Sequence, residues 1–172
     1  LWFTGLSGSG KTTIAKSLRE YLENNSKKTL VIDGDIVRET LHNSLGFSRM
    51  DIKENNRLIA SMAKKQMNYY DFILIPIISP YIDDRRVAKK IIGNKYFIEL
   101  FIKSSLEKCI KRDVKGLYKK AIDGDITNMI GFSDSNPYEV PLSPNLTVNT
   151  GKINLHESVD IIIKYINKRQ GN

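Results

Sequence analysis

The stretch Gly5-Leu6-Ser7-Gly8-Ser9-Gly10-Lys11-Thr12 fits the pattern G-x-x-x-x-G-K-[ST] without a mismatch. It lies between a strand-like apolar stub, residues 1–4, and a segment of helical periodicity. Glycines let a backbone curl until successive N–H groups point inward at phosphate oxygens. A helix starting at the loop adds the positive end of its dipole. Gly5, Ser7, Gly8, Ser9, Gly10 and Thr13 are expected to cradle the phosphates of ATP. Lys11 would reach the β- and γ-phosphates, and Thr12 would offer its hydroxyl to Mg²⁺. A chance Gly/Ser-rich turn is the plainer alternative, and the strand–loop–helix context argues against it.

Outward from the loop, strand-like and helix-like segments alternate. Ile14, Leu18 and Leu22 recur at four-residue spacing through residues 11–24, which predicts an amphipathic helix. Apolar runs at 29–33, 72–78, 96–102 and 146–149 read as further strands. Polar amphipathic segments cover 52–69, 82–91, 105–122 and 155–169. The alternation predicts an α/β fold, a parallel five-stranded sheet with helices on both faces. In such sheets ligands gather at the carboxyl ends of the strands, where residues 5–12, 33–35 and 79–81 fall. One domain over residues 1–172 is expected. Residues 115–144, rich in Gly, Asp, Asn and Pro, are expected to form a lid.

The chain has 172 residues, 41% of them hydrophobic, enough for one core. No stretch approaches the ~20 apolar residues of a membrane span, so no membrane partner is expected. It opens inside the first strand without an initiator Met, and a few residues are expected to precede Leu1. The single Cys109 excludes an internal disulfide and a Cys-rich zinc site, and fits a reducing, cytoplasmic compartment. It is expected to be half-buried. His42 and His156 show no metal-ligand spacing. A net charge of +8 points to anionic partners. The basic residues are spread without a Lys/Arg block or an aromatic-basic motif. A small phosphorylated substrate is therefore expected rather than nucleic acid. A non-catalytic nucleotide switch would fit the loop too, but the Asn-Lys-x-Asp motif common in switches is missing.

Asp33-Gly34-Asp35-x-x-Arg38 ends the second strand. Its paired carboxylates facing a phosphate loop would hold Mg²⁺ or accept a hydroxyl proton, and Arg38 would neutralise a substrate phosphate. Helix capping by Asp35 beside a solvated Arg38 is the alternative. Ser79 follows the 72–78 strand and is placed to meet phosphate. Arg112 and Lys115 are candidates for nucleotide contacts, whereas Lys119 and Lys120 read as solvated.

These residues together resemble the adenylylsulfate kinases. The resemblance rests on 5–12, Asp33-Gly34-Asp35-x-x-Arg38, Leu45-Gly46-Phe47-Ser48 and Asp51-x-x-Glu54-Asn55. It continues through Ser79-Pro80-Tyr81, Arg112 to Ala121 and Pro137-Tyr138-Glu139-x-Pro141. It implies a P-loop kinase fold, a homodimer, and transfer of the ATP γ-phosphate to the ribose 3′-hydroxyl of a 5′-modified nucleotide with Mg²⁺. By position, Asp35 would engage the 3′-hydroxyl, supported by Asp33. Arg38 and Asn55 would hold the 5′ group and ribose, and Phe47 would stack on the base. Ser79 and Lys115 would line sugar and phosphates, and Arg112 would lie near the ATP adenine.

Three departures fall on the acceptor side. Ile52 replaces an Arg that helps hold the phosphosulfate. Met129-Ile130-Gly131 replaces a Phe-Thr-Gly whose aromatic closes the base sandwich. Residues 132–136 are two longer than the family's usual three. A lost Arg removes about 1.5–3 kcal/mol, and a lost aromatic about 0.5–1.5 kcal/mol of stacking, unless lysines such as Lys53 compensate. These changes suit a branch that phosphorylates cytidine 5′-diphosphoramidate in making capsule phosphoramidate. Adenylyl sulfate is the alternative acceptor.

Overall fold

A computed structural model of the chain describes residues 1–40 and 45–171; His42 lies outside the described residues. Five strands form one sheet: β1 (Trp2–Thr4), β2 (Thr29–Val31), β3 (Phe72–Pro76), β4 (Glu99–Lys103) and β5 (Leu146–Asn149). Their order is β2-β3-β1-β4-β5 and every pairing is parallel. The chain leaves central β1 toward β2 on one side and later fills β4 and β5 on the other. The end of β1 is thus the switch point at which such sheets take ligands.

Side chains alternate across the sheet, and this builds two cores. Phe3, Leu74 and Leu100 enter one face, with Leu18 and Leu22 of α1 (Lys11–Asn24) and Ile162 of α7 (Leu155–Gln170). Trp2 and Ile75 enter the other, with Ile59 and Ala63 of α3 (Arg49–Gln66) and Ala88 of α4 (Ile82–Ile92). Three short helices complete the described residues: α2 (Gly34–Thr40), α5 (Leu106–Arg112) and α6 (Leu117–Ile122).

The sheet matches the sequence expectation, and the differences have local causes. The helix expected over 105–122 is two helices. Asp113 (φ 25°) and Gly116 (φ 65°) turn the chain, and the Asp113 carboxylate accepts the N–H groups of Tyr118 (3.0 Å) and Lys119 (2.9 Å) to start α6. Helix α3 begins three residues before its expected start, because Ser48 and Asp51 form a reciprocal capping box. Strand β4 starts at Glu99, since Tyr96 and Phe97 both donate their N–H to the Gly93 carbonyl at 3.0 Å. Cys109 is wholly buried rather than half-buried, packed with Tyr118 and Met129.

Candidate active site

The loop after β1 returns so close to the sheet that a Cβ on Gly5 would lie 2.4 Å from the Ile102 carbonyl oxygen. Gly8 (φ +71°) rests on Cys109, where a Cβ would sit 3.2 Å from the carbonyl oxygen. Two hydroxyls fix the loop from outside. Tyr118 donates to the Ser7 carbonyl at 3.0 Å, and Thr150 donates to the Ser9 carbonyl at 2.7 Å. The Tyr118 ring is buried edge-on against Phe132, with centroids 5.9 Å apart, and burial pushes its phenol pKa well up. Tyr118→Phe leaves the buried Ser7 carbonyl without this donor. The expected result is a stability loss of about 1–3 kcal/mol, read as a lower Tm, with a raised KM for ATP. A variant that melts and binds ATP like the parent would contradict it.

Beside the loop opens a cleft of about 1210 Å³. That exceeds the roughly 300–1,000 Å³ of a single-ligand pocket. Every residue expected at the site lines this cleft except Gly5, buried behind the loop, and Met129. Met129 packs with Cys109 and Tyr118, and its neighbour Ile130 faces the cleft instead.

At the donor end, the Lys11 ammonium donates to the carbonyls of Gly5 (3.0 Å) and Leu6 (2.9 Å). Burial lowers its pKa to about 8, helped by the charge of Lys115. Arg112 donates to the carbonyls of Thr150 (2.7 Å) and Gly8 (3.2 Å). The Thr12 hydroxyl donates to Asp33 Oδ2 at 3.2 Å. This oxygen-only pair suits Mg²⁺, which keeps most of its waters and takes one or two carboxylates beside substrate phosphates. Bound there, Mg²⁺ would offset charge on the β- and γ-phosphate oxygens. No group of three or more His, Cys, Asp or Glu side chains that could hold a metal occurs among the described residues.

The two carboxylates of the Asp33-Gly34-Asp35 run differ in commitment. Asp33 is buried and uses Oδ1 to accept the Asp35 N–H at 3.0 Å, besides its contact to Thr12. The Asp35 side chain is 61% exposed at the cleft and pairs with the Lys115 ammonium. Asp35 stands in the first turn of α2 rather than as its cap.

Toward the acceptor end, Arg38 donates to the carbonyls of Leu45 (3.1 Å) and Gly46, and its guanidinium lies 4.6 Å from the Phe47 ring centroid. Burial lowers its pKa. The Phe47 ring is half-exposed, open to a stacking partner. Ser79 (φ 43°) is buried, and its carbonyl accepts Arg85 Nη1 at 2.7 Å. Asn55 lines the same wall from α3.

Where the resemblance leads one to expect a cation, Ile52 is buried against Tyr81, Ile130 and Ile78. Lys53 is exposed and lies outside the cleft wall. The nearby Arg49 is already engaged: it makes two bonds to Asp84 (2.8 and 2.9 Å) and lies 3.9 Å from the Tyr81 ring centroid.

Sequence reasoning missed Asn136, buried outside the cleft lining, which ties Tyr81 to the Phe47 and Asn128 backbone. Its Oδ1 accepts from the Tyr81 hydroxyl at 3.1 Å, and its Nδ2 donates to the carbonyls of Phe47 (3.0 Å) and Asn128 (2.9 Å). The lengthened 132–136 segment was the available signal. The Pro137-Tyr138-Glu139 run acts as a clasp: Glu139 accepts the Ile82 N–H at 2.7 Å and donates its own N–H to the Pro80 carbonyl at 2.9 Å.

Comparison with known proteins agrees with this geometry. The family profile of adenylylsulphate kinase matches residues 1–149. The adenylyl-sulfate kinase of Staphylococcus epidermidis is 42% identical over 170 residues, covering 99% of this chain and 84% of that protein. That of Bacteroides thetaiotaomicron is 44% identical over 166 residues, covering 96% and 82%. The Mycobacterium tuberculosis APS kinase CysC, solved with AMPPNP and APS, superposes with a TM-score of 0.89 at 35% identity, covering 96% and 95%. This chain's parallel sheet and phosphate loop are those of the P-loop kinases. No helix among the described residues is long and apolar enough to cross a membrane. The chain belongs to the adenylylsulphate kinase family and is an ATP-dependent kinase whose acceptor is a nucleotide 3′-hydroxyl.

Proposed function

We propose that the acceptor is cytidine 5′-diphosphoramidate, phosphorylated on its ribose 3′-hydroxyl in the making of capsule phosphoramidate. The observation that carries this reading is the apolar acceptor wall: Ile52 packs with Tyr81, Ile130 and Ile78, and Lys53 points elsewhere. A 5′ group bearing less negative charge than a phosphosulfate loses less at such a wall. A pyrimidine also needs less stacking surface than Phe47 and a second ring would provide.

In the proposed reaction Lys11 and the loop N–H groups hold the ATP phosphates, and Thr12 and Asp33 are the residues that would hold Mg²⁺. Arg38 and Asn55 fix the acceptor's 5′ end, and Ser79 and Lys115 fix its sugar and phosphates. Asp35 takes the proton of the 3′-hydroxyl as that oxygen bonds to the γ-phosphorus and the bond to the β-phosphate oxygen breaks, releasing ADP. Residues 115–144 act as a lid over a single domain, in a cytoplasmic homodimer. Adenylyl sulfate is the second reading, favoured by the activity named for the relatives.

Coupled ADP release with both acceptors tests the choice. A higher kcat/KM for cytidine 5′-diphosphoramidate is expected, and a wide margin for adenylyl sulfate would overturn it. Ile52→Arg restores a cation and is expected to raise kcat/KM for adenylyl sulfate about tenfold or more, from a charge-assisted bond of roughly 1.5–3 kcal/mol. No gain would remove the charge argument.

A further inference from the structure

The buried stripe of α3 runs Ile52, Asn55, Asn56, Ile59, Ala60, Ala63. Ile59, Ala60 and Ala63 pack into the core, and Ile52, Asn55 and Asn56 line the cleft. Asn56 is 3% exposed and lines the cleft, and its side-chain amide nitrogen has no hydrogen-bond partner. Ser79, 2% exposed on the same cleft, has a hydroxyl that also lacks a partner. Burying such a group unpaired forfeits its bonds to water with nothing in return, and an apolar residue at either position would avoid that cost. Ser79 also holds a positive φ of 43°, strain of the kind that gathers at ligand contacts.

Both groups flank the apolar cluster of Ile52, Tyr81 and Ile130. Among the described residues, the wall made by α3, residues 76–80 and Ile130 presents no cationic side chain to the cleft. Lys11, Arg38 and Lys115 line other parts of the cleft, where they contact the loop carbonyls, Leu45 and Gly46, and Asp35 respectively.

We propose that Asn56 joins Ser79, already placed at the acceptor's phosphates, in an uncharged subsite that hydrogen-bonds the 5′ group of the acceptor nucleotide. The Asn56 amide donates to a phosphoryl oxygen, and the Ser79 hydroxyl, able to donate and accept, takes the neighbouring atom. Resting on the acceptor proposed above, the pair suits an amidate, which offers both oxygen acceptors and N–H donors. A sulfate offers acceptors alone.

The test is kcat/KM for cytidine 5′-diphosphoramidate and for adenylyl sulfate in the parent, Asn56→Leu and Ser79→Ala, with the KM for ATP and Tm of each. The parent's ranking of the two acceptors judges the proposed function. The variants, read on whichever acceptor the parent turns over faster, judge the subsite. At least a tenfold fall in each variant is expected, with KM for ATP unchanged and Tm held or raised, because an unpaired buried polar group is gone. On the amidate, Ser79→Ala is expected to lose more than on the sulfate. Values within twofold of the parent would overturn the subsite. So would a fall matched by equal losses in ATP binding and Tm, which marks a structural role.

Discussion

Replacing Asp35 by Asn is expected to lower kcat by about 10²–10⁴-fold while the KM for ATP stays near the parent value. The two carboxylates beside the phosphate loop are chemically equivalent, and their surroundings separate them. Asp33 is buried, with one oxygen on the Thr12 hydroxyl and the other on the Asp35 N–H. Asp35 meets the cleft and pairs with Lys115, on a segment that lies beyond α5. An acceptor hydroxyl that displaces Lys115 finds a carboxylate ready to take its proton. The exchange to Asn keeps shape and removes the basic oxygen. An exposed ion pair contributes only about 0–1 kcal/mol, so losing the Lys115 contact hardly moves Tm. A large fall in single-turnover rate at constant Tm therefore reads the chemistry. A rate within tenfold of the parent would relieve Asp35 of the base role.

The donor half of this site is legible in the sequence because its chemistry is local. Eight consecutive residues make the cradle, and the strands around it are short apolar runs whose identity survives any packing arrangement. The acceptor half is assembled from α3, the turn at 79–81 and residues 128–136, far apart in the chain. Spacing alone shows that Ile52 is not an Arg. It does not show that Ile52 finds Tyr81 and Ile130, or that Asn136 holds Phe47, Asn128 and Tyr81 at once. Met129 was expected at the acceptor because it stands where the resembling proteins carry an aromatic. Side-chain direction decides otherwise: it turns toward Cys109 and Tyr118, and the next residue faces the cleft. Tyr118 illustrates the same limit. Its run was distinctive in the sequence, yet its task, holding the Ser7 carbonyl, depends on Asp113 starting a new helix.

Lys11→Met is expected to reduce kcat/KM for ATP by about 10²-fold or more, through loss of a preorganised charge at the transferring phosphates. The same substitution is expected to erase a pH dependence. Folding buries the Lys11 ammonium and lowers its pKa from 10.5 to about 8. Between those values the unfolded chain holds a proton that the folded chain lacks, so stability rises with pH across that window. ATP reverses the balance. Its phosphates favour the charged amine, so the complex holds the proton to a higher pH than the free protein does. ATP binding therefore takes up a proton above pH 8, and affinity falls as pH rises, by at most about tenfold per unit. Calorimetric titration at roughly pH 8.5–9.5 in two buffers of different ionisation enthalpy measures the uptake. Proton uptake in the parent and none in Lys11→Met is the expected pair of results. Uptake that persists in the variant would move the titrating group elsewhere, and no uptake in the parent would mean that Lys11 keeps one protonation state through binding. Because Lys11 already rests on the Gly5 and Leu6 carbonyls, ATP must compete with the loop for its own cation. Those two bonds hold the ammonium beside the position the phosphates will occupy, so its reorientation on binding is short.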